Sequence, residues 1–139
     1  MSFNCRSLSC PTKNKSLKRL FETNLRYIII LQETFGNCVT ISLCLEGFLK
    51  GYSFLVVDAF GNYEGLFMGW NPHHVLVSNI LGKDSIMGID ISPLALGQVV
   101  TLINIYGPSQ IRSDFWESTL KKSFFHLNNV IFGGGINFF

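Results

Sequence analysis

The chain has 139 residues, 47% of them hydrophobic and 14% charged, and 11 Lys and Arg against nine Asp and Glu give a formal net charge of +2. That length fits one ordinary domain and excludes two with separate cores, and a mean hydropathy of +0.32 excludes a disordered chain. The balance is also too mild to mark the whole chain as a nucleic-acid binder, although the first 26 residues hold Arg6, Lys13, Lys15, Lys18, Arg19 and Arg26 against Glu22 alone.

Phe3 to Leu8 alternates weakly, as a short strand does, and Ser9, Pro11 and Thr12 break it. A helix is predicted from about Lys13 to Asn24. Leu17, Leu20, Phe21 and Leu25 form one apolar stripe on it, so it packs on a sheet and turns Lys13, Lys15, Lys18 and Arg19 outward. Tyr27 to Leu31 is continuous and β-branched, the pattern of a strand buried on both faces, and the helix before it makes a parallel βαβ unit. It stops at Gln32-Glu33-Thr34. From Asn37 to Gly51 Thr and Cys stand against Leu and Ile, a pattern that does not separate helix from strand, and a short helix is predicted after Thr34. The runs Tyr52 to Phe60, Gly65 to Trp70, His74 to Leu81, Ser85 to Ser92 and Gln98 to Tyr106 are short and β-type. Gly61-Asn62, Asn71-Pro72, Gly82-Lys83 and Gly97 separate them as turns, which suggests an antiparallel meander. Ser113 caps a helix reaching about Leu127, with Phe115, Leu120, Phe124 and Leu127 on one side. Asn129 to Phe132 is a last buried strand ending in Gly133-Gly134-Gly135. The order gives an α/β protein with a mixed sheet, either as one sheet or as two packed face to face.

The apolar stretches fall short of the roughly 18 residues a membrane helix needs. Cys5, Cys10, Cys38 and Cys44 show neither a CxxC spacing nor zinc-finger histidines, and are expected as free, mostly buried thiols. The basic start is also the composition of an organellar transit peptide, although strand and helix already account for Met1 to Leu20. No glycine-rich nucleotide loop of P-loop spacing and no GxSxG elbow is present.

Polar residues gather where apolar strands end: Asn4, Glu33, Asn104, Tyr106 and Asn137. In open α/β sheets the crevice outside the carboxyl ends of strands binds ligands. Taken singly, a strand-end Glu is an ordinary solvated loop residue, a strand Asn an ordinary turn former, and Tyr106 an ordinary interior aromatic. Together they suit other work. A carboxylate with an amide oxygen, Glu33 with Asn4, suits a hard cation such as Mg²⁺, and the Tyr106 hydroxyl suits donation to a phosphoryl oxygen.

Asn4-Cys5-Arg6-Ser7-Leu8, Leu31-Gln32-Glu33-Thr34, Gly65-Leu66 through Trp70, Asn104-Ile105-Tyr106-Gly107-Pro108 and Val130 through Phe138 occur in an order that resembles the endonuclease/exonuclease/phosphatase superfamily. The resemblance is closest to the endonuclease domain of plant-type non-LTR (LINE) retrotransposons, and it runs the whole chain. It implies a two-sheet α/β sandwich flanked by helices and Mg²⁺-dependent cleavage of DNA phosphodiester bonds. By the same resemblance Asn4 and Glu33 hold the metal, Tyr106 contacts the scissile phosphate with Asn104 as its companion, and Asn137 orients groups around that phosphate.

Two departures from the family pattern lead to an expectation of inactivity. Gly135 stands where the Gly-Asp-Phe-Asn motif has its aspartate. The family's later Ser-Asp-His motif has no counterpart, so residues 1–139 are expected to be a partial domain; His73 and His74 in a turn and His126 at a helix end read as loop and surface histidines. An apolar part of a sheet is then expected to lie uncovered, as a surface for self-association. The alternative is a non-catalytic relic that binds nucleic acid weakly through helix 13–24. The substrate branches of the superfamily, from DNA to inositol phosphates, sphingomyelin or RNA tails, stay open, as does the compartment, nucleus or cytoplasm. No membrane partner and no cofactor beyond the cation is expected.

Overall fold

Alternation along two central strands decides the layering. The computed structural model describes residues 1–8, 11–23, 27–61, 64–83, 85–95, 97–107, 112–121 and 127–135. Among them the elements run β1 (Ser2–Asn4), α1 (Pro11–Thr23), β2 (Ile28–Gln32), α2 (Cys38–Leu45), β3 (Ser53–Val57), β4 (Leu66–Trp70), β5 (Val75–Lys83), β6 (Ile86–Pro93), β7 (Val100–Tyr106), α3 (Arg112–Leu120) and β8 (Val130–Gly135). They form two four-stranded sheets, ordered β1-β2-β4-β3 and β5-β6-β7-β8.

Successive side chains of a strand point to opposite faces, so each sheet feeds two layers. On β2, Ile29 and Leu31 join Leu17, Phe21, Ile41, Leu45 and Phe67 in a core under α1 and α2. Ile30 faces the other way, into an inter-sheet core with Leu66, Met68, Met87, Ile89 and Leu102. On β7, Ile103 and Ile105 turn outward to Trp116 of α3. The result is a helix-flanked sandwich. Asn37 caps α2, its side-chain oxygen accepting from the Thr40 N–H at 2.9 Å, which satisfies one donor orphaned at the helix start.

The βαβ unit is present: β1 pairs parallel to β2, Phe3 opposite Leu31. The antiparallel meander is corrected. β3 pairs with β4, β5 with β6 and β6 with β7, all antiparallel, but β4 and β5 belong to different sheets. The chain changes sheets at Asn71, whose side chain accepts from the His73 N–H and whose carbonyl accepts from His74 and Val75. Gly82 and Lys83, expected as a turn, are the last rungs of β5, paired with Met87 and Ile86.

Three further expectations need correction. The helix begun at Arg112 takes Ser113 into its first turn, and its buried residues are Trp116 and Thr119; Leu120 and Leu127 are exposed, and Phe124 lies outside the described residues. The last strand runs through the glycines and is not buried: β8 is an edge strand, with Ile131 55% and Phe132 40% exposed. The thiols are not mostly buried either. Cys5 is buried, Cys44 half-buried and Cys38 exposed, all three free, while Cys10 lies outside the described residues.

Burial pushes the Cys5 thiol up from its ordinary 9.0 to about 11, despite the backbone N–H groups of Cys5 and Ser7, which favour the thiolate. The unfolded thiol therefore loses its proton first, and this group's contribution to stability falls as pH rises from 9.0 toward about 11. At pH 8 a two-unit shift leaves about 100-fold less thiolate. Iodoacetamide is accordingly expected to label Cys38 well before Cys5, read by peptide mass spectrometry; equal labelling rates would contradict the buried, high-pKa assignment.

Candidate active site

Parallel pairing aligns the carboxyl ends of strands. β1 with β2, and β7 with β8, are the two parallel pairs of the sandwich, and they lie against one another across its layers, β1 over β8 and β2 over β7 and β8. The residue row on β2 that reaches Gln32 and the row on β7 that reaches Tyr106 both face the inter-sheet layer. Asn4, Glu33, Asn104, Tyr106 and Gly135 thus collect at one end. Asn137 lies outside the described residues.

Glu33 leaves β2 with φ +54°, and Arg6 and Ser7, beside it, have φ +46° and +85°. Left-handed backbone at non-glycine residues is strained and persists only where surrounding bonds hold it. Here they do: Ser7 N–H donates to Glu33 O at 2.7 Å, Leu8 N–H to Thr34 O at 3.1 Å, and Phe35 N–H to Glu64 O at 2.9 Å. The half-buried Glu33 carboxylate accepts from Asn4 Nδ2, and Asn4 Oδ1 in turn accepts from the Arg6 N–H at 3.1 Å. This orients the Asn4 amide: nitrogen to the carboxylate, oxygen to the backbone.

Oxygen donors for a cation are therefore the Glu33 carboxylate and the remaining lone pair of Asn4 Oδ1. Among the described residues no cluster of three or more His, Cys, Asp or Glu exists. This donor set fits Mg²⁺, which is commonly held by one or two carboxylates and keeps several waters, and does not fit a closed zinc or calcium cage.

Tyr106 packs against the inter-sheet core and stands opposite Gly135 in the parallel register. Its ring takes the space of a side chain at 135: a Cβ there would lie 2.9 and 3.0 Å from Tyr106 Cδ2 and Cε2. Asn104 is placed differently from the other site residues. It is fully buried, and its amide bonds Gln32, Leu31 and Phe67. Gln32 is not distinguished by sequence from Glu33 and Thr34; the available signal is its place two residues after Ile30, in the inner row of β2.

The basic residues lie on α1. Lys13 Nζ donates to Arg6 O, Lys18 pairs with Glu22 at 3.7 Å, and Lys15 and Arg19 are exposed. Between β1 and α1 is a cavity of about 460 Å³ lined in part by Phe3, Leu8, Leu17 and Leu20 together with Asn4 and Lys13. His73 and His74 sit exposed in the β4–β5 turn, His74 against the Tyr27 ring at 4.3 Å, at the opposite end of β2 from Glu33. His126 lies outside the described residues. No helix among those described is long and apolar enough to cross a membrane.

No family model matches the chain, and no curated protein matches it by sequence. Solved structures do. D. rerio TDP2 complexed with a single-strand DNA product superposes with a TM-score of 0.75 at 15% identity, over 99% of this chain and 60% of that one. An endonuclease/exonuclease/phosphatase family protein from Bacteroides thetaiotaomicron gives 0.71 at 13%, over 98% and 60%. The fold is the endonuclease/exonuclease/phosphatase sandwich. The endonuclease domain of TRAS1, a telomere-specific non-LTR retrotransposon, shares this sandwich at a TM-score of 0.63 and 16% identity, over 96% of this chain and 57% of that one. The chain spans about three fifths of the length of these sandwiches, and at such identities the likeness is one of fold.

Proposed function

We propose that the chain is a nuclease-type domain of plant-type non-LTR retrotransposon kind that holds a divalent cation and a DNA phosphate at the β1, β2 and β7 strand ends but does not cleave. The observation that carries this reading is the bonded pair of Asn4 and Glu33, set at the end of the sandwich that also holds Tyr106. Glu33 would hold Mg²⁺, oriented by Asn4, and the ion would supply charge neutralisation at a phosphoryl oxygen. Tyr106 supplies a hydroxyl donor at the same end, and Asn137 is assigned to orienting groups around the phosphate. Asn104, which the motif places with them, acts at one remove. Gly135 offers no carboxylate to take a proton from water, and general-base catalysis is worth typically 10²–10⁴-fold.

A second reading is favoured by α1, whose exposed Lys15 and Arg19 form no ion pair among the described residues: nucleic acid is bound by this face, independently of the strand ends. Both readings are tested together by fluorescence anisotropy with a single-stranded oligonucleotide, with and without millimolar Mg²⁺, alongside plasmid nicking. No nicking is expected from the wild-type chain, and nicking abolished by Glu33→Ala would overturn the inactivity. Glu33→Gln keeps an acceptor for Asn4 Nδ2 but removes the charge, so it is expected to erase the Mg²⁺ effect on binding. Binding through α1 instead predicts that replacing Lys15 and Arg19 by Ala flattens the salt slope by roughly 1.4, at about 0.7 per phosphate contact on a single strand.

A further inference from the structure

Beneath the strand ends that carry Glu33 and Tyr106, two buried primary amides bond to each other between the sheets. Gln32 Nε2 donates to Asn104 Oδ1 at 2.8 Å and to Ser2 Oγ at 3.1 Å. Asn104 Nδ2 donates to the carbonyls of Leu31 at 3.0 Å and Phe67 at 3.1 Å. Asn104 is 0% and Gln32 2% exposed. Both N–H groups and the oxygen of Asn104 are therefore engaged, and the cluster joins β1, β2 and β4 of one sheet to β7 of the other.

Packing alone does not require it. The rest of the inter-sheet layer is apolar, Ile30, Leu66, Met68, Met87, Ile89 and Leu102 among it, and leucine at 104 together with methionine at 32 fills similar space with no buried amide to satisfy. What the amides add is direction: aliphatic faces slide over one another, whereas two donors aimed at carbonyls on two neighbouring strands fix β7 to within hydrogen-bond tolerance. The residues so fixed are those of the site. Tyr106 lies two residues beyond Asn104 on the same face of β7, Asn4 two beyond Ser2 on β1, and Glu33 directly follows Gln32. The strained φ of Glu33, +54°, needs surroundings that over-determine it, and the amide pair is adjacent.

We propose that Asn104, acting through Gln32, is a positioning residue that sets the carboxyl end of β2 against that of β7 and thereby sets Glu33 and Asn4 opposite Tyr106. The purpose assigned to it rests on reading these strand ends as a cation and phosphate site; the placement itself does not.

The test compares the wild-type chain with Asn104→Leu, Gln32→Met and, as a core control away from the strand ends, Ile89→Val. Two readouts are taken on the folded protein: NMR signals of Glu33, Tyr106 and Gly135, and the Mg²⁺ midpoint of those signals. Asn104→Leu and Gln32→Met are expected to displace the signals and to weaken the Mg²⁺ midpoint by roughly 10–100-fold, the usual effect of losing a residue that orients a metal ligand. Ile89→Val is expected to do neither. Unmoved Glu33 and Tyr106 signals in a folded Asn104→Leu chain would overturn the proposal, as would an unchanged Mg²⁺ midpoint. A wild-type chain that ignores Mg²⁺ while the variants still displace the signals would remove the cation reading and leave the positioning intact. Should both variants fail to fold, the wild-type chain decides: side-chain amide protons of Gln32 and Asn104 are expected to exchange slowly with solvent, and exchange as fast as that of the exposed Asn37 would show that the bonded pair does not form.

Discussion

Gly135→Asp is expected to leave the chain as inactive as before and less stable. The substitution returns the carboxylate of the Gly-Asp-Phe-Asn motif, so a simple accounting predicts recovery of the typical 10²–10⁴-fold of a general base. The geometry predicts otherwise. A Cβ at 135 comes within 2.9 to 3.0 Å of the Tyr106 ring, so the ring must swing off β8 and lose part of its contact with the inter-sheet core. Overpacking of this kind costs about 1–3 kcal/mol, and it displaces the hydroxyl proposed to meet the phosphate. Gly135→Ala separates the causes, because it carries the steric effect without the charge and is expected to match the stability loss. Urea unfolding followed by Trp70 and Trp116 fluorescence, beside plasmid nicking in Mg²⁺, checks both. An Asp variant that nicks and unfolds at the wild-type midpoint would show that the ring is no obstacle and that the missing carboxylate alone silences the site.

Gly134→Ala is expected to be the most destabilising change in β8. Gly134 has φ +146°, a conformation that side-chain-bearing residues rarely adopt. Its Cβ would fall onto the Ile105 carbonyl oxygen, with the Ile105 carbonyl carbon at 2.8 Å and nitrogen at 3.0 Å. The obstacle is backbone, which cannot rotate aside as a ring can. Conformational strain and overlap together are expected to cost about 3 kcal/mol or more, or to detach β8 from β7 with loss of the Gly107 N–H to Gly135 bond. The unfolding midpoint checks the first outcome. Faster amide exchange along Val100–Tyr106 checks the second, and an alanine variant with wild-type midpoint and exchange would mean that β8 sits otherwise than described.

What the sequence made legible follows the range of the interactions involved. Tyr27 to Leu31 reads as a doubly buried strand because a strand with a core on each face has no polar row, and the helix between it and the first strand leaves few other topologies. The short helix after Thr34 was legible as an element but not in its bounds, which are set by the Asn37 cap that only the structure shows. The division of the meander was not legible, since nothing local in Asn71-Pro72 says that the next strand joins another sheet; that is decided by which apolar faces meet across the sandwich. The exposure of β8 was hidden for the same reason, because Val130-Ile131-Phe132 has the composition of an interior strand and its edge position depends on which chain lies beside it. At the site, Asn4, Glu33 and Tyr106 stood out as polar residues at strand ends. The duty of Asn104 did not, because an amide at a strand end looks the same whether it faces solvent or spans to a strand 72 or 73 residues away.

That span has a consequence for the order in which the molecule assembles. Hairpins such as β5–β6 close over short loops and form early, whereas contacts between distant parts of the chain must first meet the entropy of closing long ones. The bond between Gln32 and Asn104 joins the two sheets across 72 residues, and Tyr106 meets Gly135 only after the parallel crossover to β8. On a ribosome, Glu33 emerges long before the strand that fixes its surroundings. By this loop-length argument the contact between the sheets closes later than the hairpins, and the strand ends become a site only once the two sheets have docked.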